Sequence, residues 1–338
     1  MKILVTAQLD EEGLSTLRRY GDVEYAGYGD KMRVLAGSKL VKALEGVTVL
    51  ITEVDQAKKY TFPRTPSLKV ISCCRGAPVN VDIEAATEHG VPVLRTPGRN
   101  ADAVADLTLL FALALLRHLL PVTSILHEEG DGMEKLARTF FKYKGAELWG
   151  KTVGLVGLGA VGRAVAMRLL TFGARVVAYD PYVTAEQAAD VCHPRELGVT
   201  LLDLDELLMQ SDIVSMHAAV TDETEGLIGE REFGLMKEGA YFINTARSAL
   251  ADEGALYRAL RDGRLAGAAL DVFDDEPPSP DNPLLTLDNV IATPHIGGNT
   301  AEVIVHQSRI AVADLVRLFE GRRPLYCVNP EALEGFQL

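Results

Sequence analysis

Residues 152–180, Thr-Val-Gly-Leu-Val-Gly-Leu-Gly-Ala-Val-Gly-Arg-Ala-Val-Ala-Met-Arg-Leu-Leu-Thr-Phe-Gly-Ala-Arg-Val-Val-Ala-Tyr-Asp, decide the fold of this chain. Val153 to Val156 is a short apolar run of strand type, and Gly157, Gly159 and Gly162 follow it at G-x-G-x-x-G spacing. Arg163 to Phe172 reads as a helix, and a second apolar run, Val176 to Tyr179, ends on Asp180. A dinucleotide needs this order. Gly157 makes a tight turn, Gly159 lets the backbone approach the pyrophosphate, and Gly162 lets the helix pack closely with its N-terminus facing the phosphates. Ala160 and Val161 complete that loop, and Asp180 stands 18 residues after Gly162, where an acid meets the adenosine ribose hydroxyls. A carboxylate there repels a 2′-phosphate, so the expected cofactor is NAD rather than NADP.

Composition sets the frame around that stretch. The 338 residues suffice for two domains with full cores, and 48% hydrophobic with 24% charged is ordinary globular composition. With 34 basic against 47 acidic residues the net charge is −13, which opposes binding to nucleic acid or anionic membrane. Any anionic ligand must therefore be held by local positive charge. The chain opens on Met-Lys-Ile-Leu-Val-Thr, a strand rather than a signal segment, and Leu107 to Leu116 is too short to span a bilayer. Four cysteines are too few for a disulfide framework, so a cytoplasmic location is expected. Cys73 and Cys74 read as buried small hydrophobes, Cys192-His193 as a solvent loop, and no metal site is expected.

The fold class that follows is α/β: two Rossmann-like or flavodoxin-like domains with parallel sheets and an active site in the interdomain cleft. Strands at Ile3–Thr6, Val23–Tyr25, Val47–Ile51, Lys69–Ser72 and Val91–Leu94 alternate with helices at Glu11–Tyr20, Ser38–Leu44 and Asp82–His89. Thr96-Pro97-Gly98-Arg99-Asn100 breaks the pattern, and Ala101 to Leu120 reads as one long helix. Residues 121–149 form an excursion, helical near Glu134–Arg138, suited to packing on a partner subunit. From Lys151 six strands are expected, at Val153, Val176, Ile213–Met216, Tyr241–Asn244, Ala268–Asp271 and Val290–Thr293. The helix Thr300–Glu320 then returns to the first domain. The expected substrate-binding domain is 1–99 plus 299–338, and the NAD-binding domain is 100–298.

Three strands of the second domain end in polar residues that do not belong in a core: Asn244-Thr245-Ala246-Arg247, Asp271 to Pro277, and Thr293-Pro294-His295-Ile296-Gly297-Gly298. A guanidinium holds a carboxylate bidentately, a histidine carries a proton near neutral pH, and a neighbouring carboxylate favours the imidazolium. Arg247, Glu276 and His295 are thus equipped for hydride exchange at a small anionic 2-hydroxy or 2-oxo acid. His217 also ends a strand and is expected to line the cofactor site.

These residues carry a resemblance. Through Asn80-Val81-Asp82, Asn100 to Asp106, Gly157 to Gly162, Thr221-Asp222-Glu223-Thr224, Asn244 to Arg247, Asp271 to Pro277, Pro294 to Gly298 and Val328-Asn329-Pro330, the chain resembles the D-isomer-specific 2-hydroxyacid dehydrogenase family, with its phosphoglycerate dehydrogenase and glyoxylate/hydroxypyruvate reductase branches. The resemblance covers about residues 45–330. It implies Arg247 as carboxylate clamp, His295 as general acid/base with Glu276 as partner, Asp271 at the nicotinamide carboxamide, Ala246 and Gly297 near the nicotinamide, Thr221 on the adenine side, and Thr245 as a further cofactor-binding residue. It also implies a homodimer. The end at residue 338 implies no carboxyl-terminal regulatory domain.

Three departures mark this chain. The substrate loop, glycine-rich in the family, is here Cys74-Arg75-Gly76-Ala77-Pro78-Val79-Asn80, where Pro78 donates no N–H and Arg75 adds a charged fork. Ser248 replaces a glycine after Arg247, and Val220 replaces a proline before Thr221. Arg75, Gly76, Ala77 and Val79 are the expected substrate contacts. Arg75, Arg95 and Arg99 together suggest a substrate with a second anionic or strongly polar group. The resemblance implies an NAD-dependent, phosphoglycerate dehydrogenase-like enzyme that interconverts a D-2-hydroxy acid and its 2-oxo acid; a glyoxylate/hydroxypyruvate or four-carbon sugar-acid dehydrogenase, a formate or phosphite dehydrogenase, and an NAD-sensing corepressor that binds partner peptides stand as alternatives.

Overall fold

The computed structural model describes residues 1–26, 34–191 and 198–338. Two compact units result, Met1–Arg99 with Thr300–Leu338, and Asn100–Asn299.

The first unit is built on a five-stranded parallel sheet in the order β2-β1-β3-β4-β5. Its strands are β1 (Lys2–Val5), β2 (Asp22–Tyr25), β3 (Val49–Thr52), β4 (Val70–Cys73) and β5 (Val93–Arg95). Side chains alternate across a strand, so Ile3 and Val5 enter one core with Leu14, Leu17, Cys74 and Leu315, while Leu4 enters the other with Leu40, Leu50 and Ile71. Because both faces are covered, β3 and β4 are buried at every residue, which is why they read as continuous apolar runs. The helix Ala301–Phe319 packs on the first face.

The second unit carries a seven-stranded parallel sheet, β12-β11-β10-β9-β6-β7-β8. Its members are β6 (Thr152–Val156), β7 (Arg175–Tyr179), β8 (Thr200–Leu201), β9 (Ile213–Met216), β10 (Ala240–Asn244), β11 (Leu265–Leu270) and β12 (Val290–Ala292). One strand more than the six expected is present. β8 has two residues at the sheet edge, too few to show a period in the sequence. Strand order reverses at β6, which lies between β9 and β7, and ligands of doubly wound sheets sit at such a reversal.

A second difference concerns the long helix expected over Ala101–Leu120. It ends at Leu116, and a new helix runs from Leu119 to Ile125. Pro121 is the reason: in an unbroken helix its ring would meet the carbonyl of Arg117, whereas near the start of a new helix a missing N–H costs nothing. His118 makes the bend with φ +51. Beyond it, the excursion holds a helix at Gly132–Lys142, longer than expected and capped by Asp131 Oδ1 on the N–H groups of Met133 and Glu134. No residue of that helix is buried. Among the described residues no single helix is long and apolar enough to cross a membrane.

Candidate active site

The glycine loop leaves β6 at the strand reversal. Gly157 has φ +101, and a Cβ there would stand 2.6 Å from the His217 carbonyl carbon and the Ala218 N. A Cβ at Gly162 would stand 2.3 Å from the Gly157 carbonyl oxygen, so the helix Ala160–Thr171 can reach the strand only with glycine there. Gly159 meets nothing within 4 Å, leaving its backbone open to a ligand. It is also the N-cap, and no side chain caps that helix, so the first-turn N–H groups, those of Ala160 and Val161 included, are available to an anion. Asp180 lies just after β7 and bridges two loops, its Oδ2 accepting from Leu158 N at 2.8 Å and its Oδ1 from Tyr182 N at 2.9 Å. These features fit a dinucleotide.

His217 follows β9 beside Gly157 and Gly162. Its Nε2 is 2.9 Å from Ser215 Oγ, while Nδ1 is sealed from solvent with no partner. Burial pushes its pKa down to about 3, so the ring is neutral at physiological pH. Thr221 lies in an exposed turn closed by its own N–H on Thr224 Oγ1 at 2.8 Å.

The three polar strand ends are each held by a buried polar side chain. After β10, Asn244 is 2% exposed; its Nδ2 donates to Arg247 O at 2.8 Å and its Oδ1 accepts from Ala246 N at 3.0 Å. Thr245, also buried, shares a 3.0 Å hydroxyl contact with Thr108. Arg247 is exposed and rests Nη1 on Ala246 O at 2.6 Å. After β11, Asp271 is 1% exposed. Its Oδ1 accepts from Thr293 Oγ1 at 2.6 Å and Ile296 N at 2.8 Å, and its Oδ2 accepts from Gly297 N at 2.7 Å. Those three donors belong to the loop after β12, which presents His295 with φ +55, a conformation a non-glycine residue holds only when its surroundings impose it.

His295 Nδ1 is 2.8 Å from Glu276 Oε2. This carboxylate fixes the tautomer: Nδ1 carries the proton, and Nε2 is left with a lone pair. Both side chains remain partly exposed, at 44% and 41%, so a substrate can reach them. Arg247 makes no hydrogen bond or ion pair with either.

The other expected group lies in the first unit, on the loop after β4. Arg75 N donates to Cys73 O at 2.7 Å, Arg95 Nη1 to Gly76 O at 3.3 Å, and Lys58 Nζ to Val79 O at 2.9 Å. Pro78 does not leave the loop loose: Val81 N donates to its carbonyl at 3.0 Å, and buried Asn80 ties the loop to Asp55 O at 2.8 Å. Among the described residues the Arg75 guanidinium and the N–H groups of Gly76 and Ala77 have no partner, and Val79 is 71% exposed. Arg99 is different from Arg75. Its guanidinium pairs with Glu53 at 2.9 Å and with Gln307, so it is committed to the fold and cannot serve as a free anion site. Cys73 and Cys74 are buried thiols; burial raises Cys73 to about 12 and Cys74 further. Cys192 and His193 lie outside the described residues.

Glu253 and Thr108 were not singled out from the sequence, and Thr293 only as part of its polar strand end, since each bonds a partner distant in the chain. Glu253 carried one local signal, its place behind the helix-capping Asp252, whose Oδ1 accepts from Ala255 N at 2.7 Å.

A family model described as D-isomer specific 2-hydroxyacid dehydrogenase, NAD binding domain, matches residues 109–297. Among curated relatives, a Bacillus subtilis chain named as a 2-hydroxyacid dehydrogenase is 40% identical, over 92% of this chain and 88% of its own. A D-3-phosphoglycerate dehydrogenase of Archaeoglobus fulgidus is 38% identical over 99% of this chain but 60% of its own, so the present chain spans about three fifths of that relative. A glyoxylate reductase of Thermofilum pendens is 37% identical over 98% and 96%. A crystal structure of a Thermus thermophilus protein aligns with TM-score 0.80 at 37% identity, covering 97% of this chain and 100% of that one. A D-isomer specific 2-hydroxyacid dehydrogenase from Lactobacillus delbrueckii ssp. bulgaricus, in its NAD-complexed form, aligns with TM-score 0.77 at 27% identity, over 97% and 100%.

Proposed function

The chain belongs to the D-isomer specific 2-hydroxyacid dehydrogenase family and is an NAD-dependent oxidoreductase, and we propose that Arg247, Glu276 and His295 carry the interconversion of a D-2-hydroxy acid and its 2-oxo acid. The observation that carries this reading is the 2.8 Å pair of His295 Nδ1 and Glu276 Oε2. In the oxidative direction the Nε2 lone pair takes the substrate hydroxyl proton as the C2–H hydride departs. The imidazolium so formed is stabilised by Glu276, and in the reductive direction it returns the proton to the carbonyl oxygen. Arg247 exchanges its bond to Ala246 O for the substrate carboxylate, aligning C2. NAD, when bound, supplies the hydride acceptor. Gly157, Gly159, Ala160, Val161 and Gly162 would cradle its pyrophosphate, Asp180 would meet its ribose, and His217, Thr221, Thr245, Ala246, Asp271 and Gly297 would border it.

We also assign Arg75, with the N–H groups of Gly76 and Ala77, to the distal polar group of the substrate, Val79 flanking it; the unpaired guanidinium supports this. A phosphorylated or polyhydroxylated acid fits better than glyoxylate, which has no such group. The unit Met1–Arg99 with Thr300–Leu338 is assigned to substrate and Asn100–Asn299 to cofactor. A homodimer is the proposed assembly, supported by the helix Gly132–Lys142, where Phe140 and Phe141 are 72% and 87% exposed. A reducing, cytoplasmic setting agrees with free Cys73, Cys74 and Cys327. The test is NADH oxidation against glyoxylate, hydroxypyruvate, pyruvate, phosphohydroxypyruvate and four-carbon sugar-acid analogues. A KM raised about tenfold or more by Arg75→Ala for the preferred acid supports the distal contact, and an unchanged KM for every active acid removes it.

A further inference from the structure

Glu276 sits in an acidic segment, Asp274 to Asn282, that is mostly exposed and has no regular structure of its own. Something must hold it, because a carboxylate on a loose loop cannot keep a 2.8 Å contact with His295. Within the segment, Asn282 N donates to Ser279 O and Asp281 N to Ser279 Oγ, and Glu276 Oε1 accepts weakly from Phe273 N at 3.4 Å. Among the described residues its hydrogen bonds to distant parts of the chain go to two residues only. One is His295 itself. The other is Glu253, whose Oε1 accepts from Asp274 N at 2.7 Å and whose Oε2 accepts from Asn282 Nδ2 at 3.3 Å, so that one carboxylate ties both ends of the segment.

Glu253 is well placed as a post. It is the first residue of the helix Glu253–Arg261, whose start is capped by Asp252 and whose Ala255, Leu256 and Leu260 are buried in the sheet's core. Its half-buried carboxyl is raised above its ordinary range, by burial first and then by the charges of Asp274 and Asp275, which the two hydrogen bonds oppose. A carboxylate beside two aspartates is unfavourable unless those bonds matter.

We propose that Glu253 is a positioning residue for the proton-transfer pair: by tethering Asp274 and Asn282 it holds Glu276 against His295 and so sustains the imidazolium form. This rests on the reading of His295 and Glu276 as the proton carriers. Glu253 bonds Asp274 and Asn282 rather than His295, so its effect passes through Glu276.

The experiment is an NMR titration of the His295 ring in the full-length, isotope-labelled protein, with the signal assigned by its loss in His295→Asn. Wild type, Glu253→Ala, Glu276→Gln and the double variant are compared, with thermal melts alongside. Glu276→Gln removes the opposing charge and should lower the pH at which the His295 ring signal moves. Glu253→Ala should lower it in the same direction, and the double variant should fall no further than Glu276→Gln alone, because both act through one contact. Glu253→Gln keeps an acceptor for Asp274 N and should shift less; it also serves if the alanine variant does not fold. An unmoved His295 titration in Glu253→Ala and Glu253→Gln, while Glu276→Gln moves it, overturns the proposal even if the variants melt earlier. No movement in Glu276→Gln would instead overturn the reading of the pair itself.

Discussion

Replacing Asp271 by alanine removes a buried carboxylate that accepts from Thr293 Oγ1, Ile296 N and Gly297 N at 2.6–2.8 Å. Hydrogen bonds to a charged group contribute about 1.5–3 kcal/mol each, and three on one carboxylate overlap in effect. Gly297 is buried and its N–H would lose its partner, whereas Ile296 is 39% exposed and its N–H can recover water. The net loss of stability expected is therefore about 3–5 kcal/mol. A second effect is local. His295 holds φ +55, a conformation that costs about 1–3 kcal/mol and relaxes once the clamp is gone. A displacement of the imidazole by about 1 Å lowers kcat on the order of 100-fold. Urea unfolding followed by circular dichroism gives the first quantity, and NADH oxidation at saturating NADH gives the second. Asp271→Asn, which keeps the shape but turns an amide N–H toward a donor, should fall between wild type and alanine in both. A midpoint loss below about 1 kcal/mol with kcat within about twofold of wild type would refute the clamp.

Other outcomes follow from the same geometry. Because the folded-state pKa of His217 is near 3 against an ordinary 6.5, the unfolded chain takes up this proton first as pH falls. Its contribution is therefore complete above about pH 6.5 and is lost toward pH 3, with a slope of up to about 1.4 kcal/mol per pH unit. His217→Gln should flatten that part of the stability profile measured by denaturant titration; an unchanged slope contradicts the burial of Nδ1. Asp180→Ala should weaken NADH binding and relax discrimination against NADPH, since it removes both the ribose acid and the bonds to Leu158 N and Tyr182 N. Unaltered cofactor preference in fluorescence titrations would remove the ribose assignment.

What could be read in the residue order was what depends on short-range rules. The glycines at 157, 159 and 162 stood out by their spacing between one strand and one helix, and the apolar strands by burial on both faces. Arg247, Glu276 and His295 stood out because polar residues at strand ends have no place in a core. What escaped depends on distant partners or on very few residues. The two-residue β8 has no period to detect. The break at His118 was hidden because Leu119 and Leu120 continue an apolar run up to Pro121. Arg99 looked like part of a cationic mouth until Glu53 and Gln307, 208 residues away, were seen to occupy it. Glu253 escaped for the same reason, standing 21 residues before the Asp274 N–H it accepts.

His295 is proposed to move the proton of a hydride transfer. This is tested most directly by comparing wild type with His295→Asn in two assays on the same samples, NADH binding by fluorescence and NADH oxidation with the preferred 2-oxo acid. NADH affinity should stay within about twofold of wild type while kcat falls on the order of 10²–10⁴, the usual contribution of a general acid. Turnover by His295→Asn at the wild-type rate would contradict it.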